Sequence, residues 1–221
     1  MELLFRELNV GDFAVRPSQK NEKEIGAVVS ILEEGELSVG DLLAVAQYDL
    51  SSMQAPGWVR KEAERLARLL RRRGLKRSAK AVFRWTSSSW LFSLAIYRHL
   101  AERGLPGYFA VEPYVGLTEA GDPFDYALVK EDRAVPVEVK RLASWANLEQ
   151  YIGDFREKAQ RITTAVLHLH LTEKLCRLTP PKGLRALLEL ANTGPETRVI
   201  LTYHCGDAWS LEDVARLAEG L

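Results

Sequence analysis

Cysteine is nearly absent: Cys176 and Cys205 are the only two in 221 residues. With no CxxC pair, a cysteine-held zinc is not expected, and neither is a disulfide framework. Both read as small apolar residues. Long apolar runs are missing as well, none approaching the roughly 20 residues that a membrane span requires, so no membrane partner is expected. The opening stretch, MELLFRELNVGDF, carries acids early instead of a basic segment followed by an apolar one, which argues against a secretory signal and for a cytoplasmic location. The phosphate-loop pattern GxxxxGK[ST] does not occur, and nor do GxSxG or HExxH, so an ATP-driven motor is not encoded and those two hydrolase motifs are lacking.

Net charge is lacking too, with 30 basic residues against 30 acidic ones. The distribution is uneven. Residues 60–84 hold eleven Lys or Arg against two Glu, and the remainder of the chain carries the compensating acid. Segregated charge of this kind makes one positive face, which is what a polyanion meets. Arg65, Arg68, Arg72, Arg73, Lys76, Arg77 and Lys80 are the candidate nucleic-acid contacts. The competing reading is a solvated helix surface, or a basic helix that meets an acidic protein.

Apolar residues make up 47% and charged residues 27%, the profile of a folded protein. Helical spacing of Ile25, Val28, Val29 and Leu32 predicts a first helix, ended by Gly35. Ser38 with Asp41 resembles a capping box opening a short second helix over 39–48. A third, over 59–73, buries Val59, Ala63, Leu66 and Leu70 and stops at Gly74. LKRSAKAVFRWT reads as a strand with basic flanks. Three helices and a strand resemble a winged helix-turn-helix, in which the third helix enters the major groove while Lys76, Arg77 and Lys80 reach phosphates. An accessory helical cap is the alternative.

From Ser87 onward the pattern changes. A helix over 90–103 is followed by extended segments over 108–115, 124–129 and 134–141. Next come a helix with Leu148, Tyr151, Ile152, Phe155, Ala159 and Ile162 on its buried face and a strand over 165–171. A helix over 183–191, a strand over 198–204 and a last helix capped by Ser210 complete the chain. The expectation is an α/β fold with a central mixed sheet over residues 87–221, preceded by a small helical, winged-helix-like domain over 1–86.

The segments FDYALV and VPVEVKR carry the chemistry. Strand side chains alternate, so Glu138 and Lys140 share one face and Val137 and Val139 the other. A turn over 130–133 would place the two strands side by side, with Asp125 on the face of Ala127 and Val129. Two carboxylates and an ammonium then converge. Asp125 and Glu138 supply hard oxygens for Mg²⁺, with the Val139 carbonyl as a further ligand. Lys140 orients a water or offsets developing charge. An exposed, ordinary Glu–Lys pair is the alternative.

At these residues the chain resembles the PD-(D/E)xK, restriction-endonuclease-like nuclease superfamily. The resemblance rests on Asp125 in PFDYALV and on EVK at 138–140, set in an α-β-β-β-α-β order across about 87–171. It implies an αβββαβ core and Mg²⁺- or Mn²⁺-dependent cleavage of nucleic acid. Asp125 and Glu138 would be ligands, Lys140 the catalytic lysine, and Gln150 a further contact at the start of the next helix. One departure stands out: many members carry an acid in the middle of the first core helix, whereas WLFSLAIYRHL has none before Glu102. Glu112 is a substitute candidate, and Asp122 rivals Asp125. His168 and His170 share a strand face without a third ligand nearby in sequence. Trp145, just after the ExK strand, is a candidate substrate contact.

The function expected from the sequence is a metal-dependent endonuclease acting on DNA, with RNA open and a homodimer plausible. Its domain order resembles that of Mrr-like restriction enzymes. The rival is a non-catalytic nucleic-acid-binding or regulatory protein on a degenerate nuclease fold.

Overall fold

The structure, a computed structural model, describes residues 1–11, 13–18, 22–48, 50, 55–85, 89–116, 122–159, 162, 164–171, 175, 197–203 and 211–221. The helix expected over 183–191 lies outside these residues, as do Cys176, Cys205, His204 and Ser210. The chain forms two compact units, Met1–Pro17 with Leu105–Leu221, and Ser18–Gly104. It is a mixed α/β protein with a mixed central sheet. Among the described residues no helix is long and apolar enough to cross a membrane.

The unit Ser18–Gly104 is helical: α1 (Glu22–Glu33), α2 (Val39–Gln47), α3 (Gly57–Arg72), α4 (Lys76–Trp85) and α5 (Ser89–Glu102). Ser38 and Asp41 form the capping box read from the sequence, each satisfying the other's backbone N–H at the start of α2. Gly35 and Gly74 take the left-handed φ values of 69° and 80° that end α1 and α3.

Two expectations differ here. The segment read as a wing strand is helix α4, because its buried positions Ser78, Ala79 and Val82 recur at helical spacing and leave the Lys and Arg residues outside. No strand occurs among the described residues of this unit, so the winged-helix arrangement is not formed by this segment. Helix α5, expected to open the second domain, belongs to the helical unit instead. Every residue from Trp90 to Tyr97 is buried, and a helix that is apolar on all sides needs helices around it.

The other unit carries a six-stranded sheet and a small three-stranded one. The strands are β1 (Glu2–Leu3), β2 (Leu8–Val10), β3 (Phe13–Arg16), β4 (Tyr108–Val111), β5 (Tyr114–Gly116), β6 (Tyr126–Lys130), β7 (Arg133–Leu142), β8 (Ala165–Leu171) and β9 (Thr197–Tyr203). Helix α6 (Leu148–Ala159) joins β7 to β8, and α7 (Glu212–Glu219) closes the chain. The large sheet runs β1-β4-β6-β7-β8-β9 and the small one β2-β3-β5. Strands β4, β6 and β7 are mutually antiparallel, while β7, β8 and β9 run parallel. The segment expected as one extended stretch over 108–115 is divided between the two sheets. It breaks at Glu112, whose φ of 47° no strand accommodates. The N-terminal strands β1–β3 were not anticipated from the sequence.

One face of the large sheet is covered by two different elements. Over β7 and β8, α6 sets Leu148, Ile152 and Phe155 against Leu142, Leu167, Leu169 and Leu171. Over β4 and β6, residues of the small sheet (Leu8, Val10, Val15, Val115) meet Ala110, Ala127 and Val129. The seam between the two coverings falls along the β6–β7 pair. Pro136 sits in β7 one residue before β8 begins to pair, so its missing N–H removes no bond to that neighbour.

Gly107 leads into β4 with φ 100°, and a Cβ there would stand 2.5 Å from the Val129 carbonyl oxygen. Backbone strain and steric overlap add at such a position, so Gly107→Ala should cost more than about 2 kcal/mol. Gly104→Ala, at φ 69° with nothing within 4 Å, should cost roughly 1–2 kcal/mol from the left-handed conformation alone. Urea denaturation of both variants checks this ordering.

Candidate active site

Strand pairing assembles the site. The hairpin register pairs Tyr126 with Val137, and one step further along it Asp125 stands opposite Glu138. Opposed residues of an antiparallel pair point to the same face, so Asp125, Glu138 and Lys140 all emerge at the seam. The turn is tighter than expected, with Lys130 and Arg133 already paired and only Glu131 and Asp132 between them.

Asp125 is held by backbone on three sides. Its N–H donates to the Val137 carbonyl at 3.1 Å, and its carbonyl accepts the Glu112 N–H at 3.0 Å. Its Oδ2 accepts the Val139 N–H at 2.6 Å. A second backbone bond, Phe124 N–H to the Pro113 carbonyl at 2.9 Å, staples the strained turn at Glu112 to the same segment. The carboxylate thus replaces a main-chain acceptor where the ladder ends, through a charge-assisted bond.

Glu138 is buried, with 6% of its surface exposed. An uncompensated carboxylate there would cost several kcal/mol. Both oxygens are compensated: the Lys140 ammonium lies 2.7 Å from Oε1 and the Lys158 ammonium 2.6 Å from Oε2. Lys158 also donates to the Pro123 carbonyl at 2.7 Å and stands 4.7 Å over the centre of the Phe124 ring. Burial alone would lower the basicity of Lys140. The hydrogen bond and charge of Glu138, joined by the charges of Asp125 and Asp154, outweigh it and hold Lys140 above the ordinary lysine value.

The residues that sequence reasoning missed are therefore on α6. From the sequence, Lys158 reads as a residue on a solvated face of that helix, with contact to the backbone of a substrate as the alternative. Asp154 was not singled out. The spacing of Gln150, Asp154 and Lys158, four residues apart, puts all three on one helical stripe. That stripe, leading back to the ExK strand, was the available signal. Gln150 itself is exposed on the first turn of α6, and among the described residues no hydrogen bond ties it to the cluster. Asp122, the rival aspartate, is exposed, whereas Asp125 is the one joined to Val139. Trp145 packs against the core beneath α6.

The opposite face of the sheet holds Tyr126, stacked on Phe109 at 5.0 Å, with its hydroxyl 3.4 Å from His168 Nδ1. Burial pushes His168 down to about 3, so it is a neutral core residue. Tyr126 is driven upward by burial and then by the charge of Asp125.

The donor set fits a hard divalent cation. Two carboxylates on adjacent strands, a main-chain carbonyl and water are what Mg²⁺ takes, and the oxygens of Glu138 and Pro123 already surround a cationic group, the Lys158 ammonium. Among the described residues no three His, Cys, Asp or Glu side chains gather as ligands, so beyond Asp125 and Glu138 the donors would be carbonyls such as that of Val139, and water.

The candidate nucleic-acid contacts divide into two groups. Arg73 forks to Glu34 and Glu36 at 2.6 Å each, tying the end of α3 to the α1–α2 connection. It is a structural ion pair and is not available as a phosphate contact without breaking that fork. Arg65 pairs with Glu62 at 3.4 Å and Arg68 with Glu64 at 4.0 Å, both at the surface where such pairs contribute little. Arg72, Lys76, Arg77 and Lys80 are exposed. Lys76, Arg77, Lys80 and Arg84 fall on one side of α4 by helical spacing, with Phe83 also exposed at 38%.

No family model matches the chain, and no curated protein matches it. Among solved structures it is similar to protein VC1899 from Vibrio cholerae, with 10% identity and a TM-score of 0.37. That match covers 86% of this chain and 55% of the other, so the chain spans little more than half of that structure's length. At this level of similarity neither a family nor a function is assigned.

The charge environment of Lys140 can be tested directly. Its folded-state value is raised, so its pairing stabilises the protein below the unfolded lysine value, and that contribution is lost as pH rises through the folded value. In Glu138→Gln the largest upward influences disappear while burial remains, so the Lys140 ammonium should titrate at lower pH than in the parent. NMR titration of the lysine side chains measures this, and an unchanged Lys140 titration would refute the assignment.

Proposed function

We propose that this protein is a metal-dependent nuclease that hydrolyses phosphodiester bonds in DNA, with the site at Asp125, Glu138 and Lys140. The observation that carries the reading is the convergence of these three residues at the seam of the β6–β7 pair. A buried glutamate and a backbone-anchored aspartate there face a lysine kept protonated. Further support comes from the order of antiparallel β4, β6 and β7, then α6, then parallel β8, which is the strand order of the PD-(D/E)xK resemblance.

A Mg²⁺ or Mn²⁺ bound by Asp125 and Glu138 would polarise the phosphate and acidify a water. The chain's own groups supply the rest. Asp125 is oriented by the Val139 amide, which donates to its Oδ2. Lys140, held as an ammonium, acts by charge and not as a base, stabilising negative charge that builds on the phosphate. The exposed side of α4 offers Lys76, Arg77 and Lys80 to phosphates along the strand.

A second reading, a non-catalytic nucleic-acid-binding protein on the same scaffold, is favoured by one observation: α5 has no acid before Glu102 and lies in the helical unit. Cleavage assays with Mg²⁺ or Mn²⁺ on duplex, single-stranded, branched and RNA substrates separate the two. The nuclease reading expects cutting that is lost in EDTA and lowered at least ~10²-fold by Lys140→Ala, with binding retained. Retarded but uncut DNA would support the second reading. For the basic helix, replacing Lys76, Arg77 and Lys80 with Ala should reduce the salt dependence of DNA binding by about one logarithmic unit of slope per lost contact. An unchanged slope would remove α4 from the interface.

A further inference from the structure

Two ammonium groups, Lys140 and Lys158, meet Glu138 at the seam, where Asp125 and Asp154 add their charges to the field at Lys140. The two lysines are not equivalent. Lys140 is two residues from Glu138 on the same strand face and approaches Oε1 from the side of its own strand. Lys158 comes from the last turns of α6 and is surrounded by oxygens in the way a small cation is. Glu138 Oε2 lies at 2.6 Å and the Pro123 carbonyl at 2.7 Å, with the Phe124 ring face completing the cage. Pro123 is two residues before Asp125, so the ammonium ties the Asp125 segment to Glu138, the two carboxylates that would hold a divalent cation. The ammonium already holds Glu138 Oε2, so a divalent cation taking that oxygen as a ligand would have to displace it.

We propose that the Lys158 ammonium is a resident counter-cation of the acid pair, occupying one ligand position of the divalent-metal site, and that metal binding displaces it. This rests on the metal-dependent reading of the site given above. In the absence of metal, Lys158 offsets the charge of a buried carboxylate and keeps the Asp125 segment closed against α6. On displacement it does not become an isolated charge. Asp154 lies one helical turn earlier, at the spacing at which an acid and a base pair along a helix, and the Lys158 side chain is 20% exposed already, so water is within reach. Competition for one oxygen is reciprocal: whatever Lys158 contributes to the closed form, it subtracts from metal affinity.

The test is direct binding, independent of catalysis. Isothermal titration of the full chain with Mn²⁺ and with Mg²⁺ compares the parent, Lys158→Met and Lys158→Gln, with Glu138→Gln as the ligand-deficient control. Circular dichroism verifies that each variant is folded. Lys158→Gln, which keeps one neutral hydrogen bond to Glu138, stands in if Lys158→Met does not fold. The proposal expects Lys158→Met to lower the metal Kd about ten-fold or more, Lys158→Gln to lower it less, and Glu138→Gln to abolish binding. Equal or weaker metal binding in both Lys158 variants would overturn displacement while leaving the metal site standing. No binding to any protein at millimolar metal would overturn both the displacement and the metal-dependent reading.

Discussion

A carboxylate withdrawn from water has to be answered by positive charge, and Glu138 sets that requirement for the unit around it. At 6% exposure its charge is tolerable only because two ammonium groups reach it, one along its own strand and one from α6. The approach of Lys158 fixes the packing of α6, whose apolar residues Leu148, Ile152 and Phe155 lie on the sheet beside the same seam. It also fixes the segment at Pro123 and Phe124. A local demand of electrostatics therefore couples a strand, a helix and a loop that are distant in sequence. Removing one partner from such a set typically costs 3–5 kcal/mol, because the remaining charge is left buried.

The second constraint is the end of the β6–β7 ladder. Where regular pairing stops, the Asp125 carboxylate takes over as acceptor for the Val139 amide, and the left-handed turn at Glu112 is held to the Asp125 carbonyl. A non-glycine residue at φ 47° costs about 1–2 kcal/mol, and such strain persists where surrounding bonds over-determine it. The consequence is a carboxylate whose position is set by main chain instead of by side-chain rotamers, which is the property a ligand or catalytic group requires.

The helical unit obeys a different logic. Its arginines divide between those that bind the unit together, as Arg73 does through Glu34 and Glu36, and those left at the surface, as Arg72 is. A count of positive charges along the chain does not distinguish the two. Arg73 is identical in type to its neighbours but points at the acids of the α1–α2 connection, which are nearly forty residues away. Similarly, α5 looked like the first helix of the sheet-bearing unit by sequence order, yet its all-round burial makes it the core of the helical one.

Alternation and local punctuation were enough to read β6, β7 and β8, the capping box at Ser38, and the stops at Gly35 and Gly74. Each depends on residues within a few positions of one another. The shared face of Asp125, Glu138 and Lys140 was legible for the same reason, since period-two alternation and a short turn leave little freedom. Helix α4 was misread because its buried stripe is short and small, Ser78, Ala79 and Val82, and gives a weak periodic signal beside so many charges. Strands β1–β3, the recruitment of Lys158 and Asp154, and the internal pairing of Arg73 depend on long-range packing. Sequence alone determined which residues can carry charge at the seam. Tertiary structure decided which charges meet, because electrostatic partners are chosen by distance across the fold and not by distance along the chain.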